Sequence, residues 1–305
     1  MKNLIPLMRR EWLQHRFAWA LMVLVPLALA VLPLTFGSIE MDGPLEQART
    51  PAEVALMVGT LTLVITMAVL FLLLWVSSLF IAVGTPRRDH ADRSIEFWMS
   101  LPTSHAESLA APLLVHLLIV PAAALLAGLA SGAVVSMLTV GRLAGVGEWF
   151  ALPWGSILGA MLAFVARVIA GLPLATLWLL PLLLAAMLAN AYFKRWGLPV
   201  LAVGLSLGST VLTKVFGQPF LAETLASLVR NAGMALVGAS GSGVTISSEN
   251  PPSEALASMP GWALHDFGAA LNAAASAQFL GALLVSALLF YGLVLWRQRG
   301  AGAHG

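Results

Sequence analysis

Cysteine is absent from the 305-residue chain, and charged residues make up only 10% of it. The absence of cysteine excludes disulfide bonds and thiolate metal sites. A soluble domain carries about 25% charged residues, whereas 59% of this chain is hydrophobic. Because a bilayer admits mainly helices as spanning elements, the composition predicts an all-α integral membrane protein.

Six apolar segments are long enough to cross a bilayer, which takes about 20 mostly apolar residues. A further segment, 148–171, is nearly as long, but a seventh span would move Lys194 and Arg195 to the side with few basic residues. We therefore expect 148–171 to form a helix at the outer interface, and a seven-span arrangement is the alternative. The six predicted spans are 17–36, within 54–84, within 109–140, 172–193, 196–216 and 278–296.

The basic residues lie unevenly on the two sides that six spans define. Of the 16 Lys and Arg residues, eleven fall on the side of the chain termini and five on the other. Basic residues favour the cytoplasmic side, so both termini are expected in the cytoplasm. The first apolar run is too long for a signal peptide, so we expect it to stay uncleaved. The eleven are Lys2, Arg9, Arg10, Arg16, Arg87, Arg88, Arg93, Lys194, Arg195, Arg297 and Arg299.

Two segments beside the spans have amphipathic patterns. In residues 1–16, apolar side chains at helical spacing predict either a short helix in the membrane interface or an ordinary basic anchor. The segment 217–277 is too long for a structureless loop. Its pattern predicts two amphipathic helices, joined by a Gly/Ser stretch at 238–243 and folded over the outer mouth.

The loop 86–106 contains the stretch DRSIEFWMSLPTS, residues 92–104, between two long apolar runs. As a helix it places Ile95, Trp98 and Met99 on one apolar stripe. Pro102 ends that helix, and Ser104 with Glu107 predicts a capping box that starts the next one. The stripe must lie on lipid, pack on neighbouring helices or dock into a partner's groove, and periodicity leaves these three open.

The sequence RRDHADRSIEFWMSLPTSHAESLAAPLL resembles the cytoplasmic loop of bacterial ABC type-2 exporter permeases. Their pattern reads [ST]-[IL]-E-[FL]-[WL]-x-S-[LM]-P-[VT]-[ST], followed after a short gap by an acidic residue, here Glu107. The N-terminal RREW, LWLLPLLLAAMLANAYFKR and the final SAQFLGALLVSALLFYGLVLWRQR are similar too, although only the loop is specific. The closest members carry a basic residue shortly after the acid, whereas this chain reads SLAAPLL.

The resemblance implies that residues 1–305 form one permease domain in a bacterial cytoplasmic (inner) membrane. Residues 92–102 would be the coupling helix that inserts into a separate cytoplasmic ABC ATPase. Two permease chains, as a homodimer, and two ATPase chains would export an amphipathic, lipid-like or peptide substrate. ATP and Mg would bind to the ATPase, leaving this chain without a cofactor. The predicted coupling residues are Arg87, Arg88, Asp92, Arg93, Ile95, Glu96, Phe97, Trp98, Met99, Leu101 and Pro102.

No catalytic motif is visible, so we expect no enzyme activity in this chain. It lacks G-x-x-x-x-G-K-[ST], and its six histidines form no H-E-x-x-H. We therefore expect no metal site, and no nucleic acid among the partners. The alternative function is a membrane scaffold or sensor subunit that recruits an ATPase without transport.

Few polar groups lie within the predicted spans. This suits an amphipathic substrate and argues against an ion as the transported substrate. His116, about two turns into the third span, is a candidate for gating or substrate contact, or it faces the interface. Asn190 is a second pathway candidate, although a hydrogen bond to a neighbouring helix is the favoured interpretation. The GxxxG pairs Gly128/Gly132 and Gly204/Gly208 permit close helix approach, with a dimer contact as one interpretation.

Overall fold

A computed structural model describes residues 4–37, 50–91, 104–242 and 252–302. Within these ranges the chain forms helices and turns without a β-strand, so the all-α prediction is confirmed. The helices are α1 Leu4–Phe36, α2 Pro51–Ala91, α3 His105–Leu114, a π-helical turn Val115–Ile119, α4 Val120–Leu143, α5 Val146–Ala151, α6 Trp154–Phe193, a 3-10 turn Lys194–Trp196, α7 Gly197–Lys214, α8 Phe220–Leu236, α9 Pro252–Ala274 and α10 Ala277–Gly302.

Five described segments are long and apolar enough to cross a membrane. The fourth covers the predicted fourth span and nearly all of the predicted fifth, so the count of six is not confirmed. They are joined through the 3-10 turn, where Lys194 has φ 55°, a conformation usual for glycine. The five segments are Leu4–Phe36, Pro51–Pro86, His105–Leu143, Trp154–Lys214 and Ala277–Gln298.

Two predicted interfacial helices are parts of longer helices. Residues 4–16 continue without a break into the first apolar segment, because nothing at this junction interrupts helix formation. The segment 148–171 divides at Pro153, between α5 and α6. Its larger part is the first half of the 40-residue α6, in which Pro173 and Pro181 do not end the helix.

The predicted capping box at the start of α3 is confirmed. The Ser104 hydroxyl accepts a hydrogen bond from the Glu107 N–H at 3.1 Å, and the Glu107 carboxylate accepts one from the Ser104 N–H at 3.3 Å. These bonds satisfy backbone donors that a helix start leaves without an intrahelical acceptor. The helix therefore begins at His105, directly after the motif SIEFWMSLPTS that ends at Ser104.

Contacts at the two ends of the helical body fix the helix directions. At the end that we name proximal, Leu7 of α1, Ser108 of α3 and Arg297 of α10 line one small cavity. At the opposite, distal end, the Arg142 guanidinium of α4 donates to the Thr35 carbonyl of α1. Consequently α1 runs parallel to α3 and α4, while α10 runs in the opposite direction.

The first GxxxG pair lies in a contact within the chain. A Cβ atom on Gly128 would lie 2.8 Å from the Met67 Cα of α2, and one on Gly132 would lie 2.9 Å from the Leu63 carbonyl oxygen. The two helix backbones thus meet where α4 carries no side chains. The dimer interpretation of this pair is therefore wrong, because α2 occupies the glycine face.

Candidate functional site

Most of the predicted coupling residues lie outside the described residues. Asp92, Arg93, Ile95, Glu96, Phe97, Trp98, Met99, Leu101 and Pro102 belong to the gap between Ala91 and Ser104, and their role stays a prediction. Arg87 and Arg88 lie on the last turns of α2. The gap therefore joins the end of α2 to the start of α3 at the proximal end.

Asn190 links two helices near the proximal end. Its side-chain amide on α6 donates a hydrogen bond to the Val83 carbonyl of α2 at 3.2 Å. This is the helix-to-helix bond that the sequence favoured for Asn190. Its role in a substrate pathway stays a prediction.

His116 belongs to a buried polar cluster between α1 and the π-helical turn. We name Glu11, His15, Trp19 and His116 the histidine cluster. Its three α1 members are four residues apart, so they share one helix face. His116 Nε2 lies 3.5 Å from Glu11 Oε2. The His116 ring centroid lies 5.4 Å from that of His15 and 5.7 Å from that of Trp19.

The π-helical turn lies directly before a proline. Pro121 has no N–H to donate to the carbonyl four residues earlier, and its ring crowds that carbonyl. The N–H of Val120, the residue before Pro121, bonds to the Val115 carbonyl, five residues back. The widened turn carries His116 toward α1, and such turns are frequent at functional sites.

The burial of His116 overturns one of the sequence interpretations. The side chain is 0% exposed, so the interpretation that it faces the membrane interface is wrong. Neither of its ring nitrogens makes a hydrogen bond to another described residue. Glu11 is 2% exposed. Sequence analysis missed Glu11 and His15, although their spacing of four residues was a visible signal.

A second buried polar site, which we name the clasp, lies toward the distal end. It consists of Arg167 on α6, Asp266 on α9, and Gly238 and Ser240 after α8. The Arg167 Nε and Nη2 atoms lie 2.9 and 2.7 Å from Asp266 Oδ2. The Asp266 carboxylate also accepts hydrogen bonds from the Gly238 N–H at 3.0 Å, the Ser240 N–H at 2.8 Å and the Ser240 hydroxyl at 2.8 Å.

The clasp connects three helices through one guanidinium. Arg167 donates from Nη1 to the Ala235 carbonyl of α8 at 2.8 Å. Gly171, one turn further along α6, leaves room for that same carbonyl, which a Cβ would strike. The segment 148–171, expected at the outer interface, includes Arg167, and for this side chain the expectation is wrong. Arg167 is 2% exposed, and its Nε, Nη1 and Nη2 atoms all donate hydrogen bonds.

Opposing effects act on the pKa of Asp266. Burial of the carboxyl group disfavours its charge, while the hydrogen bonds from Ser240 and Gly238 and the nearby Arg167 charge favour it. The favourable effects prevail, and the pKa lies below its ordinary value. Asp266 is therefore ionised at neutral pH, and its pair with Arg167 is a true ion pair.

An apolar groove of about 480 Å³ lies between α3, the π-helical turn, α6 and α10. Its walls are mainly leucine side chains, together with Pro173 and Phe290. Of the described residues, Thr176 and Ser286 are the polar ones that line it, and none that lines it is charged. Such a groove fits an acyl chain or the apolar face of a peptide.

No protein-family model, curated protein or solved structure matches this chain. The assignment of function consequently depends on the chain's own residues and on their arrangement. The arrangement combines long apolar helices, an apolar groove, and polar contacts that tie helices together.

Proposed function

We propose that the chain is the membrane permease subunit of an ATP-driven ABC exporter in a bacterial cytoplasmic membrane. Two copies would work with a separate pair of cytoplasmic ATPase chains. The observation that carries the proposal is the motif SIEFWMSLPTS together with its position. It lies between two long apolar helices, α2 and the helix that starts at α3, which end and begin at the proximal end.

The proposed topology has six spans with both termini in the cytoplasm. α7 has 18 residues, about 27 Å at a rise of 1.5 Å per residue, close to the ~30 Å hydrocarbon thickness. α6 has 40 residues, about 60 Å by the same rise, so it would project beyond one membrane face. The proximal end would be cytoplasmic, since eleven of the 16 basic residues are assigned to that side.

The proposed substrate is amphipathic, lipid-like or a peptide with an apolar face. The groove volume of about 480 Å³ lies within the usual range for small-ligand sites, about 300–1,000 Å³. Its aliphatic walls would contact an apolar chain, while Thr176 and Ser286 would each offer one hydroxyl. ATP binding to the ATPase would act on this groove only if the ATPase contacts two permease states with different free energies.

A mild-detergent purification of the tagged chain from its native membranes, followed by mass spectrometry, tests the proposal. We expect an ABC ATPase in a stoichiometric amount. Trp98→Ala and Glu96→Arg should each release it, because a docking helix loses its apolar anchor or reverses one charge. Trp196→Ala is the matched control, since Trp196 is an exposed tryptophan that lies outside the motif.

Two results would overturn parts of the proposal. If no ATPase accompanies a folded, dimeric chain, the exporter assignment is wrong. If the ATPase remains bound to both motif variants, the assignment of residues 92–102 as the coupling helix is wrong. An ATPase that binds and hydrolyses ATP, but moves no substrate in proteoliposomes, would favour the scaffold function instead.

A further inference from the structure

The histidine cluster gathers three side chains of the kinds that bind transition metals. Glu11, His15 and His116 each place one donor atom within 4.8 Å of the others' donor atoms. Glu11 and His15 lie four residues apart on α1, a spacing that presents two ligands on one helix face. His116 approaches from the π-helical turn, so the three donors converge from two helices.

The state of His116 requires an explanation that packing alone does not give. Buried side-chain nitrogens in proteins almost always have a hydrogen-bond partner, an ordered water or an ion. His116 is fully buried, and neither ring nitrogen makes a hydrogen bond to another described residue. The carboxylate of Glu11 lies 3.5 Å from His116 Nε2. Burying a polar group without a hydrogen-bond partner is destabilising, and a bound metal ion would remove that penalty for the nitrogen that ligates it.

We propose that Glu11, His15 and His116 form a divalent transition-metal site, best suited to Zn²⁺, that fastens α1 to the π-helical turn. Two imidazoles and one carboxylate are a usual protein ligand set for zinc, with a fourth position left for water. The site does not depend on the proposed transport function. It is a property of this chain alone, and its test involves neither an ATPase nor a substrate.

The distances require only a small closure of the cluster. Zinc ligands lie about 2.0–2.1 Å from the ion in a tetrahedral site, which places neighbouring donors about 3.4 Å apart. Donors that now lie within 4.8 Å must therefore approach by about 1.5 Å at most. His15 is half-buried, so rotation of its side chain would supply part of this movement.

Nearby cations do not block the site. Arg10 and Arg297 line a small cavity beside Glu11. The carboxylate has two oxygens, and Oε2 is the one that lies 3.5 Å from His116 Nε2. Oε2 can bind the metal while the second carboxylate oxygen of Glu11 remains available to the guanidinium groups of Arg10 and Arg297. The metal would then lie between α1 and the π-helical turn.

The test is a metal titration of the full chain, purified with a histidine-free tag and stripped with a chelator. We expect one Zn²⁺ per chain by elemental analysis and a rise in melting temperature on zinc addition. Co²⁺ should give visible absorption bands of a low-coordinate site. His15→Gln should weaken zinc binding at least tenfold and remove the Co²⁺ bands. His116→Gln should do the same.

His265→Gln is the matched control, because His265 is an exposed histidine on α9, remote from the cluster. It should bind zinc like the unchanged chain. His15 is half-buried, so His15→Gln keeps the proposal testable even if His116→Gln does not fold. The proposal is overturned if the unchanged chain binds less than one Zn²⁺ at micromolar concentrations. Binding that neither His15→Gln nor His116→Gln weakens would overturn it equally.

Discussion

Arg167 and Asp266 form an ion pair in which both side chains are removed from solvent. Moving two charges out of water costs several kcal/mol per ion, and mutual attraction offsets this only when the remaining donors and acceptors are satisfied. Here the Ala235 carbonyl and the Gly238 and Ser240 N–H groups supply those additional bonds. The clasp therefore orders the backbone after α8 as well as pairing two charges.

Asp266→Asn should destabilise the chain. The amide leaves the buried Arg167 charge without its counter-charge, and breaking a buried pair in this way costs about 3–5 kcal/mol. For a chain of this size we expect a fall in melting temperature of roughly 5–15 °C in detergent. Glu254→Gln, an exposed acid on the same helix, should change it by less than about 2 °C. Equal effects of the two variants would contradict a stabilising clasp.

The stability that Asp266 contributes should depend on pH in one direction. Its folded-state pKa lies below the unfolded value of about 3.9. The contribution is therefore complete above that value and is lost as the pH falls through the folded-state pKa. The difference in melting temperature between the unchanged chain and Asp266→Asn should stay constant from about pH 8 to pH 5 and shrink below about pH 4. A difference that already shrinks between pH 7 and pH 6 would contradict this assignment.

The contact between α2 and α4 depends on two glycines one helical turn apart. Each faces the backbone of α2, at Met67 and Leu63, rather than a side chain that could move aside. A methyl group at either position must therefore push the helices apart. The second GxxxG pair is different, because a Cβ on Gly204 would meet nothing within 4 Å.

Gly132→Ala should weaken this helix pair. Its Cβ would lie 2.9 Å from the Leu63 carbonyl oxygen and 3.2 Å from the Leu63 Cα, and overpacking of this kind costs about 1–3 kcal/mol. Gly204→Ala is the matched control, and its higher helix propensity should leave stability unchanged or raised by up to about 1 kcal/mol. The measurement is the melting temperature of each variant, compared with that of the unchanged chain. A Gly132→Ala chain as stable as the Gly204→Ala chain would show that the helices do not meet closely.

Sequence analysis predicted the helices whose ends depend on interactions between residues close together in the chain. The start of α3 was predictable because Ser104 and Glu107 cap it through local bonds. The helices α8 and α9 were predictable from amphipathic periodicity and from the Gly/Ser stretch between them. The continuity of α1 and α6 was missed, because apolar length alone does not indicate where a helix ends.

Both buried polar sites escaped sequence analysis for a different reason. Arg167 and Asp266 are 99 positions apart in the sequence. Glu11 and His116 are separated in the sequence by the rest of α1, by α2 and by α3. No local pattern joins residues that only tertiary packing brings together. Single charges inside apolar segments were the available signal, and such a charge indicates that a partner exists without naming it.

Across the molecule, the ends of the helices divide into two groups. The cavity of Leu7, Ser108 and Arg297 and the Asn190 bond lie at the proximal end. Arg142 with Thr35, and the clasp, lie toward the distal end. The charge asymmetry of the sequence predicts that the proximal end faces the cytoplasm. Two serines, one in each group of helix ends, make this prediction measurable.

Single cysteines at Ser253 and Ser104 should react differently with a membrane-impermeant maleimide. Ser253, near the start of α9, and Ser104, before α3, are both exposed, and the chain has no cysteine of its own. In intact spheroplasts we expect labelling of Ser253→Cys alone, with Ser104→Cys labelled only after permeabilisation. Loss of the Ser104 cap costs about 1 kcal/mol, so folding should survive. The reverse labelling pattern would invert the topology, placing residues 92–102 beyond the reach of any cytoplasmic ATPase and removing the basis of the exporter proposal.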